Sequence, residues 1–180
     1  AHQLGKFYRD DLSTLRDHEK AEQWFRCSAE AGNDFSEYAL GKLLLTQKRT
    51  VEALEWLDKA AERGNQFARY RLGKTYLTGE SVPIDMERAL AYLTASANQG
   101  NQFAQYTLGK LYLLGRDVPP DRERAKEWLI RAAAQGNAYA QFFLDRFDQF
   151  RDPSVMLAAT KLLHHMSRIF QSNSVPPSNP

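Results

Sequence analysis

The residue types best suited to chemistry in this sequence are four histidines, one cysteine, scattered carboxylates and a row of lysines that returns at a fixed interval. His164 and His165 are adjacent. On a helix they point about 100° apart and cannot share a metal as a pair four residues apart would, and no further ligand is spaced to join them. No H-E-x-x-H, paired-cysteine, phosphate-loop or nucleophile-elbow pattern occurs. Cys27 reads as a small apolar residue of a helix rather than a reactive thiol. As the sole cysteine it excludes an intramolecular disulfide and favours a reducing compartment. Asp10 and Asp11 read as solvated loop charges. The expectation is a chain without catalytic residues, metal ligands or cofactor.

The lysines point to recognition instead. The residue after each Leu-Gly is basic, at Lys6, Lys42, Lys74 and Lys110, with Arg146 at the degenerate Leu144-Asp145-Arg146. Seven and four residues earlier stand Phe35 and Tyr38, Phe67 and Tyr70, Phe103 and Tyr106, and Tyr139 and Phe142. Steps of three and four put each trio on one helical face. Cations beside rings are suited to an acidic or C-terminal peptide, the rings supplying apolar contact. The candidate partner-binding residues are Lys42, Phe67, Arg69, Tyr70, Arg71, Lys74, Phe103, Tyr106, Lys110 and Arg146. Two other readings compete. The rings can be inter-repeat core with the lysine stems passing over them, or the lysine row can track the phosphates of DNA. The balance of 24 basic and 22 acidic residues, net +2, gives the DNA reading no support from total charge.

The elements that must hold these trios are visible as a repeat. Gly-Asn stands at 32, 64, 100 and 136, and Leu-Gly-Lys at 4, 40, 72 and 108. Ala-x-x-Trp/Tyr keeps the same beat at Ala21/Trp24, Ala53/Trp56, Ala89/Tyr92 and Ala125/Trp128. The shorter unit loses its residues between Gly41 and Ala53, where the others carry a loop such as "TGESVPID". Each unit reads as two helices. In the first, Ala68, Leu72 and Tyr76 recur in steps of four. Gly79 ends it and Val82-Pro83 keeps the connection extended. Asp17, Asp85 and Asp121, and Thr50 in the short unit, are placed to cap the second helix, which stops at a glycine such as Gly100. Gly41, Gly73 and Gly109 fall inside helices, where glycine costs about 1 kcal/mol relative to alanine. A neighbouring helix is expected close by, with Trp56, Tyr92 or Trp128 filling the space.

Two short helices cannot bury their apolar faces alone, so the units must stack, which predicts an all-α, right-handed superhelical solenoid with a concave and a convex side. The array is expected over 1–152, about four repeats with the first partial. Leu4-Gly5-Lys6 arrives without a preceding "GNxFAxY", as if the chain opened inside a helix. From Asp152-Pro153 a capping helix is expected over 153–171, with Val155, Leu162, Met166, Ile169 and Phe170 on its apolar face, and a flexible tail over 172–180. No apolar run is long enough to span a bilayer, so no membrane partner is expected.

The strings "A-x-Y-x-L-G-K-L-Y", "G-x-x-V-P-x-D-x-x-x-A" and "W-x-x-x-A-A-x-x-G-N" resemble the Sel1-like repeat family, relatives of the tetratricopeptide repeat, over residues 1 to about 149. The resemblance implies an α/α solenoid that serves as an adaptor or interaction scaffold without catalysis, its first helices lining the concave side, so that the trios face a groove. Some secreted members staple each repeat with a disulfide. This chain departs from them, and a cytoplasmic location is expected. More narrowly, "GNQFAQYTLGKLYL" together with "LLHHMSRIFQSN...PP" is similar to modules found C-terminal to relaxase, or mobilisation, proteins of mobile elements in Gram-positive bacteria. That likeness implies a module beside a DNA-nicking domain, with DNA reached only through the parent relaxase or the lysine row.

Overall fold

Asparagine and aspartate side chains start most of the helices. In the computed structural model, which describes residues 1–10, 18–79, 81–115 and 117–148 with positions 158 and 161, the helices are α1 His2–Asp10, α2 His18–Glu30, α3 Asp34–Thr46, α4 Thr50–Glu62, α5 Gln66–Thr78, α6 Met86–Asn98, α7 Gln102–Leu114, α8 Arg122–Ala134 and α9 Ala138–Asp145. No strand occurs among the described residues. Asp85 and Asp121 accept from the backbone N–H of Arg88 and Arg124, as their spacing predicts. The asparagine of each Gly-Asn pair does the same for the first helices: Asn33 accepts from Ser36, Asn65 from Phe67 and Ala68, Asn101 from Phe103 and Ala104, and Asn137 from Ala140. Each of these helices therefore starts just after the preceding one stops. Gly79 closes α5 in the left-handed conformation at φ 67°.

Thr50 does not cap α4. The cap position belongs to Arg49, which makes no side-chain cap bond, and Thr50 is already the first helical residue. The short connection leaves no room for an extended approach: Arg49 N–H bonds back to the carbonyl of Leu44, and Lys48 takes φ 62°. The Arg49 side chain turns outward to Glu22 on α2, and to Glu52, while Arg26 bridges the same two carboxylates at 2.9 and 2.6 Å. Burial pushes the Glu22 carboxyl up, but its bonds to Arg26 and Arg49 outweigh that and leave it below the usual range. Asp17 and the tail over 172–180 lie outside the described residues, and so does the capping helix expected over 153–171 except at positions 158 and 161, both helical. Asp10 ends α1 rather than occupying a loop.

The chain divides into two units, Ala1–Leu108 and Gly109–Pro180. In the first, α1 pairs with α2, α3 with α4 and α5 with α6, and successive hairpins meet through α2 on α3 and α4 on α5. Phe25, Leu40, Leu44, Leu57, Leu72 and Leu93 are fully buried, each contributing about 1.5–3 kcal/mol relative to exposure. The interior glycines admit close neighbours, but those neighbours are not the aromatics. A Cβ on Gly41 would stand 2.6 Å from Leu57 Cγ, and one on Gly73 would stand 2.7 Å from Leu93 Cγ. The residue that fills each gap is the leucine after the expected Trp56 or Tyr92. Tyr92 instead stacks on Tyr76 with centroids 6.1 Å apart and donates to Asp58 at 2.9 Å. Burial first, then the Asp58 carboxylate, push its phenol up to about 12.

In the second unit α8 packs on α9, with Leu129 and Phe143 fully buried. A Cβ on Gly109 would stand 2.8 Å from Leu129 Cγ, so here too a leucine replaces the expected Trp128. Arg122 donates to the carbonyl of Phe147 at 2.9 Å and covers its ring at 4.5 Å.

Candidate binding groove

The site is built between α3 and α5. Asn65, capping α5, also donates from Nδ2 to Asp34 Oδ2 at 2.9 Å, which ties the starts of the two helices together. One turn on, the rings of Tyr38 and Phe67 meet with centroids 6.0 Å apart. Farther along, Lys42, Leu45 and Thr46 of α3, Arg71, Lys74, Thr75 and Thr78 of α5, and Ser81 line a cavity of about 250 Å³. Among the described residues no carboxylate lines it. Thr46 and Thr75 donate their hydroxyl protons to the carbonyls of Leu43 and Arg71 at 2.6 and 2.9 Å, whereas Thr78 and Ser81 bring exposed hydroxyls.

Other arginines in the described residues are engaged: Arg26 and Arg49 with Glu22 and Glu52, Arg63 with Glu37, Arg88 with Asp85 and Arg124 with Asp121. Among the described residues neither Arg71 nor Lys74 forms an ion pair. Arg71 and Lys74 therefore put positive charge at one end of the groove, and rings stand at the other.

The structure brings Lys42, Arg71 and Lys74 together with Phe67 close by. Phe67 and Phe103 are 39% and 49% exposed, so the rings at this position are not closed into the core. Tyr70 is half-buried with its ring 6.0 Å from that of Phe103. Its burial pushes the phenol up, against a smaller opposing effect of a bond to Thr107. Tyr106 is half-buried on α7. Arg69 points elsewhere: its Nε donates to the carbonyl of Ala61 at 3.1 Å, and it lines a separate cavity of about 720 Å³ with Asp58, Glu62, Arg88 and Tyr92. Lys110 and Arg146 belong to the second unit, where Arg146 lies 4.2 Å over the ring of Phe142. Cys27 is exposed on α2 rather than packed as a small apolar residue. His164 and His165 lie outside the described residues, among which no metal-holding group of His, Cys, Asp and Glu occurs.

Sequence reasoning missed the asparagine caps and the hydroxyl rim. The rim had a signal, since Thr46 and Thr78 each follow the repeat lysine by four residues.

Glu37 is a third feature that sequence reasoning missed. It is 1% exposed, with Oε1 accepting from Arg63 at 3.2 Å and Oε2 buried without a partner among the described residues. At the equivalent positions Arg69 and Gln105 use a side-chain N–H to reach the carbonyl eight residues back, Ala61 and Ala97. A carboxylate has no such proton to give. Glu37→Gln supplies it toward Ala29 and removes an orphaned buried oxygen, so the variant should gain about 1 kcal/mol and melt a few degrees higher. A lower melting temperature would show that the charge on Glu37 matters more than the missing donor.

A family model described as Sel1 repeat matches residues 1–33, 35–65, 66–101 and 102–137. Among solved structures, the chain is similar to a Sel1 repeat protein from Oxalobacter formigenes, at 35% identity and TM-score 0.69, over 77% of this chain and 58% of that one. It is similar to c5321, a protective antigen of uropathogenic Escherichia coli displaying an SLR fold, at 32% identity and TM-score 0.70, over 77% and 31%. Immunity protein Pa5087 from Pseudomonas aeruginosa aligns at 27% identity and TM-score 0.58, over 81% and 55%. The chain thus spans less than two thirds of the length of these structures. No curated protein sequence matches it. The fold class is that of these structures, an all-helical repeat solenoid.

Proposed function

The chain belongs to the Sel1 repeat family, whose members are in general non-catalytic protein–protein interaction scaffolds, and on that premise we propose that it holds an acidic segment of a partner protein in the groove between α3 and α5. The observation that carries this reading is the convergence of Arg71 and Lys74, neither of which forms an ion pair among the described residues, on one cavity beside the Tyr38–Phe67 pair. Arg71 and Lys74 gain from an acidic partner, and the exposed Phe67 ring gains from apolar cover. The chain has no catalytic role in this proposal. Its cytoplasmic setting rests on the single cysteine, and a place beside a relaxase on the sequence likeness alone, part of which lies in 162–177, outside the described residues. Among the described residues no helix is long and apolar enough to cross a membrane.

Fluorescence anisotropy with a labelled peptide of glutamates and leucines, and separately with a labelled DNA duplex, tests it. The peptide should bind more weakly as salt rises. Arg71→Ala and Lys74→Ala should each weaken it by about tenfold, equivalent to about 1.4 kcal/mol. Unchanged affinity in the double variant would remove the groove from consideration. Tighter binding of the duplex at low salt, with no competition by the peptide, would put DNA phosphates in its place.

A further inference from the structure

The groove's donors are richer than a carboxylate needs. Arg71 offers a planar fork of N–H groups, Lys74 an ammonium, and Thr78 and Ser81 hydroxyls, all on one cavity of about 250 Å³. A carboxylate carries one negative charge on two oxygens. A phosphoryl group carries −1.5 to −2 on three terminal oxygens near neutral pH, which suits a fork, an ammonium and two hydroxyls. Along α5, Phe67 precedes Lys74 by seven residues, about 10 Å at the helical rise. An extended chain covers that distance in about three residues.

We infer that the partner segment is phosphorylated, its phosphoryl group seated among Arg71, Lys74, Thr78 and Ser81, with an apolar side chain about three residues away on the Tyr38–Phe67 pair. This inference rests on the groove reading above and adds the ligand's chemistry to it. Phosphorylation of the partner would then switch docking on through charge-assisted hydrogen bonds that the unmodified hydroxyl cannot form.

The test uses short labelled peptides with a central phosphoserine and phenylalanine three residues to either side, against the whole chain. The controls carry serine or glutamate at the centre, or alanine for phenylalanine, and free inorganic phosphate is tried as a competitor. The phosphopeptide should bind at least about tenfold tighter than the glutamate peptide and far tighter than the serine one. Its affinity should fall as pH drops from about 7.5 to 5.5, because the second phosphate ionisation lies near pH 6, while the glutamate peptide's should not. Arg71→Lys keeps the charge but loses the fork, and should erase most of the phosphate preference while leaving glutamate binding nearly intact. Arg88→Ala, on the other cavity, should change neither, and melting curves check that each variant is folded. Equal binding of phosphoserine and glutamate peptides, still dependent on Arg71 and Lys74, overturns the phosphoryl assignment and leaves the acidic groove standing. Binding of no peptide overturns both. Inorganic phosphate competing as strongly as the phosphopeptide, with no effect of the phenylalanine, reduces the site to one for a free anion and overturns the docking of a protein segment.

Discussion

Gly41→Val and Gly73→Val are each expected to cost about 3–4 kcal/mol, enough to unfold much of the chain near its melting temperature. Helix propensity predicts the opposite sign for the milder alanine variants, since alanine gains about 1 kcal/mol over glycine in a helix interior. Packing decides the outcome. A Cβ at Gly41 would meet Leu57 Cγ at 2.6 Å and the backbone oxygen of Ala53 at 2.9 Å, and one at Gly73 would meet Leu93 Cγ at 2.7 Å and the Leu93 nitrogen at 3.0 Å. A leucine can change rotamer, but a backbone atom moves only with its helix. Gly41→Ala and Gly73→Ala should therefore lose about 1–2 kcal/mol net, and Gly109→Ala less, because its nearest backbone atom, the Ala125 oxygen, is 3.2 Å away. Denaturant melts of the series check the order. Leu57→Ala in the Gly41→Ala background should cost less than the sum of the two, since removing the leucine makes room for the methyl. Stabilisation by alanine at both positions would show that the helices do not approach closely there.

These glycines also mark how far the sequence could be read. Their recurrence inside helices required close contact, and close contact is what the coordinates hold. Which neighbour makes it was not legible, because adjacent residues such as Trp56 and Leu57 differ by only 100° on the helix and the larger aromatic attracted the assignment. The same arithmetic separates Arg69 from Arg71. Two residues apart, they point about 200° around the helix, one toward Ala61 on α4 and the other into the groove. Proximity in sequence had grouped them. Steps of three and four follow the helical period, and Tyr38, Phe67, Lys42 and Lys74 lie together along α3 and α5. Cavity shape depends on two repeats at once, which no pattern within one repeat expresses. Thr50 failed for a different reason: the shortened connection starts α4 one residue earlier than a threonine cap allows.

Asn65→Ala should cost about 2 kcal/mol, and Asn101→Ala about 1 kcal/mol less than that, although the two residues cap helices in the same way. Each accepts from two backbone N–H groups, those of Phe67 and Ala68 or of Phe103 and Ala104. The difference lies in the other half of the amide. Asn65 Nδ2 donates to Asp34 Oδ2 at 2.9 Å, whereas Asn101 Nδ2 is buried with no partner among the described residues. Where the earlier repeat begins its first helix with Asp34, the next begins with Gln66. Gln66→Asp should supply the missing acceptor, favour the start of α5 electrostatically and make Asn101→Ala as costly as Asn65→Ala. Differential melts of the two single variants, repeated in the Gln66→Asp background, measure this directly, and equal costs in the parent chain would show that the link between successive repeats contributes nothing. The consequence reaches the groove, because the N–H that Asn65 holds is that of Phe67 itself. Loss of the cap frees the first turn of α5 and with it the ring that faces Tyr38, so Asn65→Ala should weaken the acidic peptide severalfold without touching a cation. An unaltered affinity would mean that the aromatic end of the groove takes no part in binding.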